Sequence, residues 1–304
     1  MRSLVILTFL LFAAPAAVFA QQDAQYTQYI FNGLVINPAY AGSRESLSVL
    51  ALYRYQWAGL DGAPKTLSAS IHSPIGDKNA LGLYIENDMV GVHNRFSAYA
   101  SYAYRLQFNN NARLQLGLTA GLLSYRSDWT KIEDIQDPTD PNFSNVEDSK
   151  LLPNFGLGAY YYSDRYYIGF SVPHLLKSDL DDVSKLSKYS QHYFLSGGYV
   201  FDLSPSLRLK PSFLLKTVAA SPPQADLNLN LLIKDMVWVG MGYRTGDALV
   251  FLAEYHMAKG LRIGYSYDFS VSKLSPYNNG SHEIMIGWDV ARSKPEKVLS
   301  PRFF

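Results

Sequence analysis

Cysteine is the most informative residue that this chain lacks. None of its 304 residues is a cysteine, which excludes disulfide scaffolds, thiolate metal sites, cysteine nucleophiles and an acylated lipoprotein cysteine. An excess of one charge sign is also lacking: 27 basic and 26 acidic side chains leave a formal net charge of +1, so there is no broad basic field for nucleic acid. Charged residues are only 17% of the chain, below the share of about 25% in soluble domains.

Long apolar runs are confined to the start of the chain. Residues 1–20 combine a basic Arg2, an apolar run over Leu4–Phe12 and small residues before a predicted cleavage point. This pattern predicts a cleaved signal peptide, and therefore export. A membrane-spanning helix is the alternative, but Pro15 breaks the run and a polar stretch follows it. No later segment offers the roughly 18 apolar residues that a spanning helix needs.

Aromatic residues and alternating polarity are abundant. Aromatics make up 14% of the chain and include 23 tyrosines. In residues 261–270, large apolar side chains alternate with arginine, glycine, serine and aspartate, a period of two that is typical of a strand with two different faces. Many such segments reach the length of about 9–11 residues that crosses a bilayer at a tilt. We count fourteen, near residues 46–56, 65–73, 79–88, 94–108, 112–126, 152–162, 165–173, 190–203, 206–219, 224–234, 236–244, 248–257, 260–270 and 281–291.

The connections between these segments favour a barrel over a soluble, tyrosine-rich β-protein, which is the alternative. If the first strand starts in the periplasm, even-numbered connections are expected to be tight and odd-numbered ones longer. In our assignment every odd connection is at least as long as its even neighbours, and tyrosines cluster at strand ends, where aromatic girdles lie. We therefore predict an all-β fold: a transmembrane, antiparallel, up-and-down β-barrel of about 14 strands with a periplasmic N-terminus.

Four regions follow from this interpretation. Residues 1–20 are the signal peptide, and residues 46–291 are an outer-membrane β-barrel. Residues 21–45 form a polar lead-in, rich in tyrosine, asparagine and glutamine, that lies at the periplasmic mouth or plugs part of the lumen. Residues 292–304 form a C-terminal tail. The expected location is the cell outer membrane.

The six histidines are the first candidates for chemistry, because barrel enzymes place Ser/His or Asp/His groups near the outer rim. His282 and Glu283 are neighbours on a strand, so they point to opposite faces and cannot form a dyad. His192 can meet Asp181 or Asp182 across a loop, but no serine motif accompanies it. A rim hydrolase that depends on His192 or His282 is therefore a minor alternative, and we expect no enzyme activity.

An acidic loop is the only segment that suggests a metal. Its carboxylates are Asp134, Asp137, Asp140, Glu147 and Asp148. They do not follow the spacing of a calcium loop, with aspartates at alternate positions, a glycine and a distal glutamate. A solvated surface loop explains them better, and we predict neither a metal nor a cofactor.

Two segments are more specific than a barrel wall requires, although both contain residues that simply turn a chain. Gln25–Ser43 has the sequence QYTQYIFNGLVINPAYAGS, and Tyr53–Ser73 has the sequence YRYQWAGLDGAPKTLSASIHS. They match a Q-x-x-Q-Y-x-F-N…I-N-P-A-Y-A-G block and a Y-R-x-Q-W-x-G-x-D-G-A-P-K-T block. Through these blocks the chain resembles the PorP/SprF family of outer-membrane proteins, which are associated with the type IX secretion system of Bacteroidota.

The resemblance implies a non-enzymatic barrel that supports type IX secretion or the surface attachment of partner proteins, including adhesins of gliding motility. The implied partners are outer-membrane lipid, a secreted surface protein and periplasmic peptidoglycan-binding or ring-forming secretion components, with no nucleic acid. The resemblance carries over no catalytic residue and no cofactor. A passive channel or small-solute transporter is the alternative, because the same fold serves either function.

Residues within the two blocks are candidates for partner contact. They are Gln28, Asn32, Asn37, Tyr40, Trp57, Asp61 and Lys65. The first four would offer hydrogen-bonding groups at the periplasmic end of the barrel. The last three would lie in the first outward loop, where a secreted chain can be bound. The alternative is that all seven fix the geometry of the barrel.

Overall fold

The computed structural model describes residues 23–108, 111–132, 147–180, 188–218 and 221–290. The predicted signal peptide and the C-terminal tail lie outside these residues, as do Asp134, Asp137 and Asp140 of the acidic loop and both Asp181 and Asp182.

Within these ranges the chain is built from β-strands and short 3-10 turns. The strands are β1 Leu47–Tyr55, β2 Lys65–Ile75, β3 Asn79–Val90, β4 His93–Gln107, β5 Arg113–Asp128, β6 Glu147–Tyr162, β7 Tyr166–Val172, β8 Ser178–Asp179, β9 Lys188–Tyr189, β10 His192–Tyr199, β11 Phe201–Ser204, β12 Leu207–Val218, β13 Gln224–Ile233, β14 Val237–Arg244, β15 Ala248–His256, β16 Leu261–Ser270 and β17 Ser281–Val290. The 3-10 turns are Gln28–Ile30, Gly33–Val35, Pro38–Tyr40, Trp129–Lys131, Ala258–Gly260 and Ser275–Tyr277. In the described ranges, none of the helical turns has the length and apolar character needed to span a bilayer.

The strands form a closed barrel in which neighbours along the chain pair antiparallel. The barrel closes where β1 pairs with β17, from Leu47 opposite Val290 to Tyr55 opposite His282. β10 and β11 both pair with β12 and are two parts of one barrel strand, interrupted at Val200, so the wall has 14 strands. β8 and β9 pair with each other in a small two-stranded sheet that is not part of the wall. The predicted fold class and strand number are confirmed.

The two faces of the wall follow the alternation in the sequence. In β16, the outward Ile263, Tyr265 and Phe269 are exposed, whereas the inward Arg262 and Asp268 are buried. The same division recurs around the barrel, so the exterior is apolar, as a wall in contact with lipid requires, and the interior is polar. This orientation explains why the composition is poor in charge although the lumen is rich in ion pairs.

The two ends of the barrel differ in the length of their connections. We call the end with residues 56–64, 129–132, 173–180, 188–191 and 271–280 the loop rim, and the opposite end, with residues 76–78, 163–165 and 205–206, the turn rim. The predicted parity is wrong in two places on the loop rim. The β3–β4 connection is only Gly91-Val92, and the β14–β15 connection, residues 245–247, is shorter than residues 257–260 at the turn rim. Gly91 has a φ of 57°, and its N–H donates to the Gly62 carbonyl over 2.9 Å, which anchors this tight turn to the loop between β1 and β2.

Residues 23–46 lie inside the barrel, and we call them the plug. Asp23 lies at the loop rim, where its carboxylate is 3.1 Å from both His174 and His192. Glu45 lies at the turn rim, 2.7 Å from Arg105 and Arg113. The plug therefore crosses the lumen from the loop rim to the turn rim before β1 begins. The periplasmic position of the start of β1 stays a prediction, but Asp23 lies at the opposite rim from that start.

Candidate functional site: the plugged lumen and its loop rim

The half of the plug nearer the turn rim contains a short capped turn. Asn37 caps the turn Pro38–Tyr40: its side-chain oxygen accepts from the Ala39 N–H at 2.9 Å, and proline occupies the first position. The turn packs against glycines of the wall. A side chain at Gly117 would overlap the Ala39 backbone, and one at Gly158 would overlap the Asn37 side chain. The glycines therefore let a wall strand and the plug backbone approach closely.

The four plug residues predicted to contact a partner all contact the barrel wall, and their contact with a partner stays a prediction. Asn37 Nδ2 donates to the Ala159 carbonyl at 3.1 Å, and Asn32 Oδ1 accepts from Ser70 Oγ at 3.1 Å. The rings of His72 and Tyr160 pack edge-on against Tyr40, with centroids 5.5 and 5.6 Å away. Gln28 Nε2 donates to the Glu283 carbonyl at 3.1 Å. All four side chains are buried, so in this state they hold the plug in place.

The half of the plug nearer the loop rim is held by charged groups of the wall. The Glu283 carboxylate accepts from the N–H of Thr27 at 2.9 Å and from the N–H of Gln28 at 2.7 Å. Thr27 Oγ1 lies 2.8 Å from both carboxylate oxygens of Asp268. Arg54 joins the two acids, at 2.8 Å from Asp268 and 3.1 Å from Glu283. Buried charges are costly unless they are paired and hydrogen-bonded, and both conditions hold here.

A second basic side chain extends this network towards the neighbouring strands. Arg244 lies 3.0 Å from Asp268 and 3.2 Å from Asp226, and it donates to Thr27 Oγ1 at 3.3 Å. Arg244 is on β14, so strands distant in the sequence converge on one threonine of the plug. The network fixes where the plug lies along the barrel axis.

The start of the plug is surrounded by basic side chains at the loop rim. Besides the two histidines, Arg95 lies 3.3 Å from the Asp23 carboxylate. Burial alone raises the pKa of an aspartate, but His174, His192 and Arg95 hold the pKa of Asp23 well below its usual range. His192 thus pairs with Asp23, an acid that was not among the sequence-predicted partners.

A cavity of about 850 Å³ opens above the plug at the loop rim, and we call it the vestibule. Its floor is Asp23, Ala24 and Gln25. Its walls carry apolar groups and charges of both signs, among them Trp57, Val90, His93, Arg95, Lys273 and Leu274. Below the floor, the cavity between plug and wall is only about 70 Å³. Over the described residues, the vestibule is therefore a pocket with a floor, and the plug fills the lumen beneath it.

The loop between β1 and β2 is held rigidly by the loop between β16 and β17. The Trp57 N–H donates to Ser281 Oγ at 3.0 Å, and Trp57 adopts a φ of 50°. The Ala58 N–H donates to the Gly280 carbonyl at 2.7 Å, and the Asn279 N–H donates back to Ala58 at 2.8 Å. These bonds preorganise the loop, because its backbone is fixed by a neighbour.

The predicted rim residues fall on or beside this loop. Asp61 and Lys65 are exposed, and Lys65 Nζ lies 5.2 Å from the centre of the Tyr55 ring. Trp57 is half-buried and lines the vestibule. The structure therefore brings Trp57, Asp61 and Lys65 together at the loop rim and separates them from the four plug residues.

The remaining candidates for chemistry do not converge. His282 Nδ1 contacts Tyr265 Oη at 2.7 Å, whereas the adjacent Glu283 is fully buried and faces the plug, as two faces of one strand require. Among the described residues, no cluster of three or more histidine or acidic side chains is arranged to hold a metal ion.

Sequence reasoning did not identify the network of Arg54, Arg244, Asp268 and Glu283. The available signal was position: each of these residues falls on the inward, polar face of an alternating strand. A charged side chain on that face of a narrow barrel needs a partner across the lumen, so inward charges mark the contact surface of a plug.

Comparison with known proteins identifies one family. The model of the family described as "Type IX secretion system membrane protein PorP/SprF" matches residues 18–288. No curated protein matches the chain. Among solved structures, the outer membrane protein Omp33 of Acinetobacter baumannii is 8% identical, with a TM-score of 0.46, over 82% of this chain and 99% of that one. The KdgM porin is 9% identical, with a TM-score of 0.37, over 80% of this chain and 99% of that one. The translocator domain of the autotransporter NalP from Neisseria meningitidis is 11% identical, with a TM-score of 0.43, over 87% and 93%.

Proposed function

The chain belongs to the PorP/SprF family of type IX secretion system membrane proteins, and from this premise we propose that it is a non-enzymatic outer-membrane barrel that supports secretion or surface attachment of a partner protein. The observation that carries the proposal is the plug. A passage for solutes needs an open lumen, whereas a barrel that holds a partner needs a stable surface. Residues 23–46 fill the lumen of this barrel, and a rigid loop is displayed at its rim.

The partner is proposed to bind at the loop rim, to the surface formed by Trp57, Asp61 and Lys65. The backbone bonds between the two neighbouring loops reduce the ordering cost of binding there, because the surface is already fixed. Tyr277, on the neighbouring loop between β16 and β17, is 70% exposed and adds an aromatic anchor of the kind that dominates protein interfaces. With the loop rim facing outwards, this surface meets a protein that has crossed the outer membrane.

Periplasmic secretion components are proposed to bind the opposite end. The turn rim carries exposed ion pairs, with Asp202 at 2.7 Å from Arg165 and 3.1 Å from Arg208. Exposed charges of both signs contribute little to stability, but they favour orientation and association rate at an interface. The two rims therefore offer different chemistry to partners on the two sides of the membrane.

The first experiment compares the secreted and surface proteomes of a strain without this gene with those of its parent. Loss of one large secreted protein would identify a barrel dedicated to that substrate, and loss of the whole exported set would identify a core secretion component. An unchanged proteome would remove the secretion proposal.

A second experiment locates the partner surface. In the complemented strain, the double substitution Asp61→Ala and Lys65→Ala should reduce the same secreted protein, while the barrel remains folded in the membrane. The matched control is Asp128→Ala with Lys131→Ala, an acid and a base 3.4 Å apart on the same rim but at the end of β5, outside the proposed surface. Equal secretion by both variants would remove the loop rim as the binding surface.

The passive channel is the second candidate, since the barrel architecture itself permits one. It predicts steady ion conductance in planar bilayers and slower solute uptake without the protein. The plug predicts the opposite: the intact chain should show little steady conductance. A large, stable conductance from the intact chain would favour the channel.

A further inference from the structure

The plug is attached to the wall by two different kinds of contact along its length. We call Asp23–Gln28 the latch segment and Gly33–Ser43 the base segment. Most polar contacts of the latch segment are with ionised groups, as described for Asp23, Thr27 and Gln28, and its one large apolar contact is the buried ring of Tyr26. The base segment is held mainly by close packing and by bonds to neutral groups, as described for Asn37 and Ala39, and Arg105 is the charged group that bonds to it. The two segments therefore differ in what their release would cost.

The wall charges around the latch segment are paired with one another as well as with the plug. Arg54 keeps Asp268 at 2.8 Å and Glu283 at 3.1 Å, and Arg244 keeps Asp226 at 3.2 Å. Removing the latch segment would leave each of these charges with a partner of opposite sign. The large penalty for a buried, uncompensated charge therefore does not oppose release.

Release of the base segment would cost more. Ala39 and Ala41 are fully buried, Gln115 Nε2 donates to the Ala41 carbonyl at 2.9 Å, and Arg105 Nη2 donates to the Gly42 carbonyl at 3.0 Å. Its release would open a cavity along the glycines of the wall and leave buried donors without acceptors. The base segment is also joined directly to β1, which fixes its position.

Space for movement exists on one side only. The first three residues of the latch segment, Asp23–Gln25, form the floor of the 850 Å³ vestibule, and this is the end of the plug that is farthest along the chain from β1. We infer that the plug is a two-part device, in which Asp23–Gln28 moves reversibly into the vestibule while Gly33–Ser43 stays in place. Movement uncovers the charged groups of Arg54, Arg244, Asp268 and Glu283 to the loop rim. In the resting state, Thr27 covers these groups.

The absence of cysteine from the chain permits a direct test with single introduced thiols. Gln28→Cys reports on the latch segment, and Ser43→Cys reports on the base segment; the replaced residues are 0% and 1% exposed. Each full-length variant is reconstituted in lipid vesicles and labelled with a water-soluble maleimide. We expect slow labelling at position 28 and still slower labelling at position 43.

The latch is then weakened by a second substitution. Glu283→Gln removes the charge that accepts two plug N–H groups, so labelling at position 28 should accelerate about tenfold or more, while position 43 is unaffected. Glu254→Gln is the matched control: this buried acid pairs with Arg262 at 2.9 Å, away from the latch segment, and should change neither rate. If Glu283→Gln does not fold, Asp23→Asn replaces it with the same expectation at position 28.

Two results would overturn the inference. Equal acceleration at both positions would show that the plug leaves as one unit. A Gln28→Cys thiol that stays unlabelled in every folded background would show that the latch segment does not move. Neither result depends on a secretion partner, so the inference stands or falls separately from the proposed function.

Discussion

Replacing Arg54 by methionine should destabilise the barrel more than any other single change to the charged network of Arg54, Arg244, Asp268 and Glu283. Arg54 is 1% exposed and donates to Thr27, Glu283 and Asp268 at 3.0, 3.1 and 2.8 Å. Methionine preserves much of the side-chain volume but supplies neither charge nor donor. The substitution therefore isolates the electrostatic part of the interaction.

The expected loss of unfolding free energy depends on which contacts Asp268 and Glu283 keep in the variant. Asp268 retains Arg244 at 3.0 Å, so it stays compensated. Glu283 retains its two plug N–H groups but loses its ion pair with Arg54. One buried acid is then left without a counter-charge, for which the expected cost is about 3–5 kcal/mol of the free energy of unfolding.

The assay is urea unfolding of the reconstituted barrel, followed by tryptophan fluorescence. The double variant Arg54→Met with Glu283→Gln removes the uncompensated charge, so it should recover at least half of the loss caused by Arg54→Met alone. Lys210→Met serves as a comparison, because Lys210 is equally buried but packs against the rings of Phe31 and Trp238, 5.8 and 5.1 Å away. Two results would refute the reasoning. One is a loss of unfolding free energy below about 1 kcal/mol for Arg54→Met, and the other is a double variant that is less stable than either single variant.

Three further predictions concern the plug. Asn37→Ala should cost about 1–3 kcal/mol of unfolding free energy in the same assay, because it removes a turn cap and a buried donor to the Ala159 carbonyl. Gly158→Val should displace the plug and raise steady conductance in planar bilayers, whereas the outward Ala120→Val should not. Because the folded pKa of Asp23 is depressed, the stability it contributes is present above about pH 4 and is lost as the pH falls through the lower, folded value. Asp23→Asn should therefore flatten the acid limb of urea midpoints between about pH 2 and pH 5, and an unchanged limb would contradict this assignment.

The barrel wall was predictable because its information is local. Alternating polarity in segments such as residues 261–270 fixes which side chains face lipid, and that pattern survives in the structure. The start of β6 was not predictable in this way. Residues 147–151 lack alternation, yet they form a strand because β5 continues opposite them, from Ser124 paired with Leu151 to Asp128 paired with Glu147. Pairing, and not pattern, extends that strand.

The position of the plug depends on contacts that a local pattern does not contain. Polar, tyrosine-rich residues fit either a periplasmic mouth or a lumen, so composition left both placements open. The choice is made by partners far along the chain, such as Glu283 for Thr27 and His192 for Asp23. The seven candidate contact residues were therefore identified as a special set, but their division into plug and rim required the three-dimensional structure.

The route of the plug has a consequence for the closure of the wall. The base segment has its partners in strands near the start of the chain, such as Arg105 on β4 and Gln115 on β5, whereas the latch segment depends on Asp268 and Glu283 in the last two strands. The same last strand, β17, also joins β1 to complete the wall. The seam and the latch thus share one strand. The closed wall therefore contains, at its own seam, the carboxylate that holds the plug, so a change that weakens β17 is expected to loosen both.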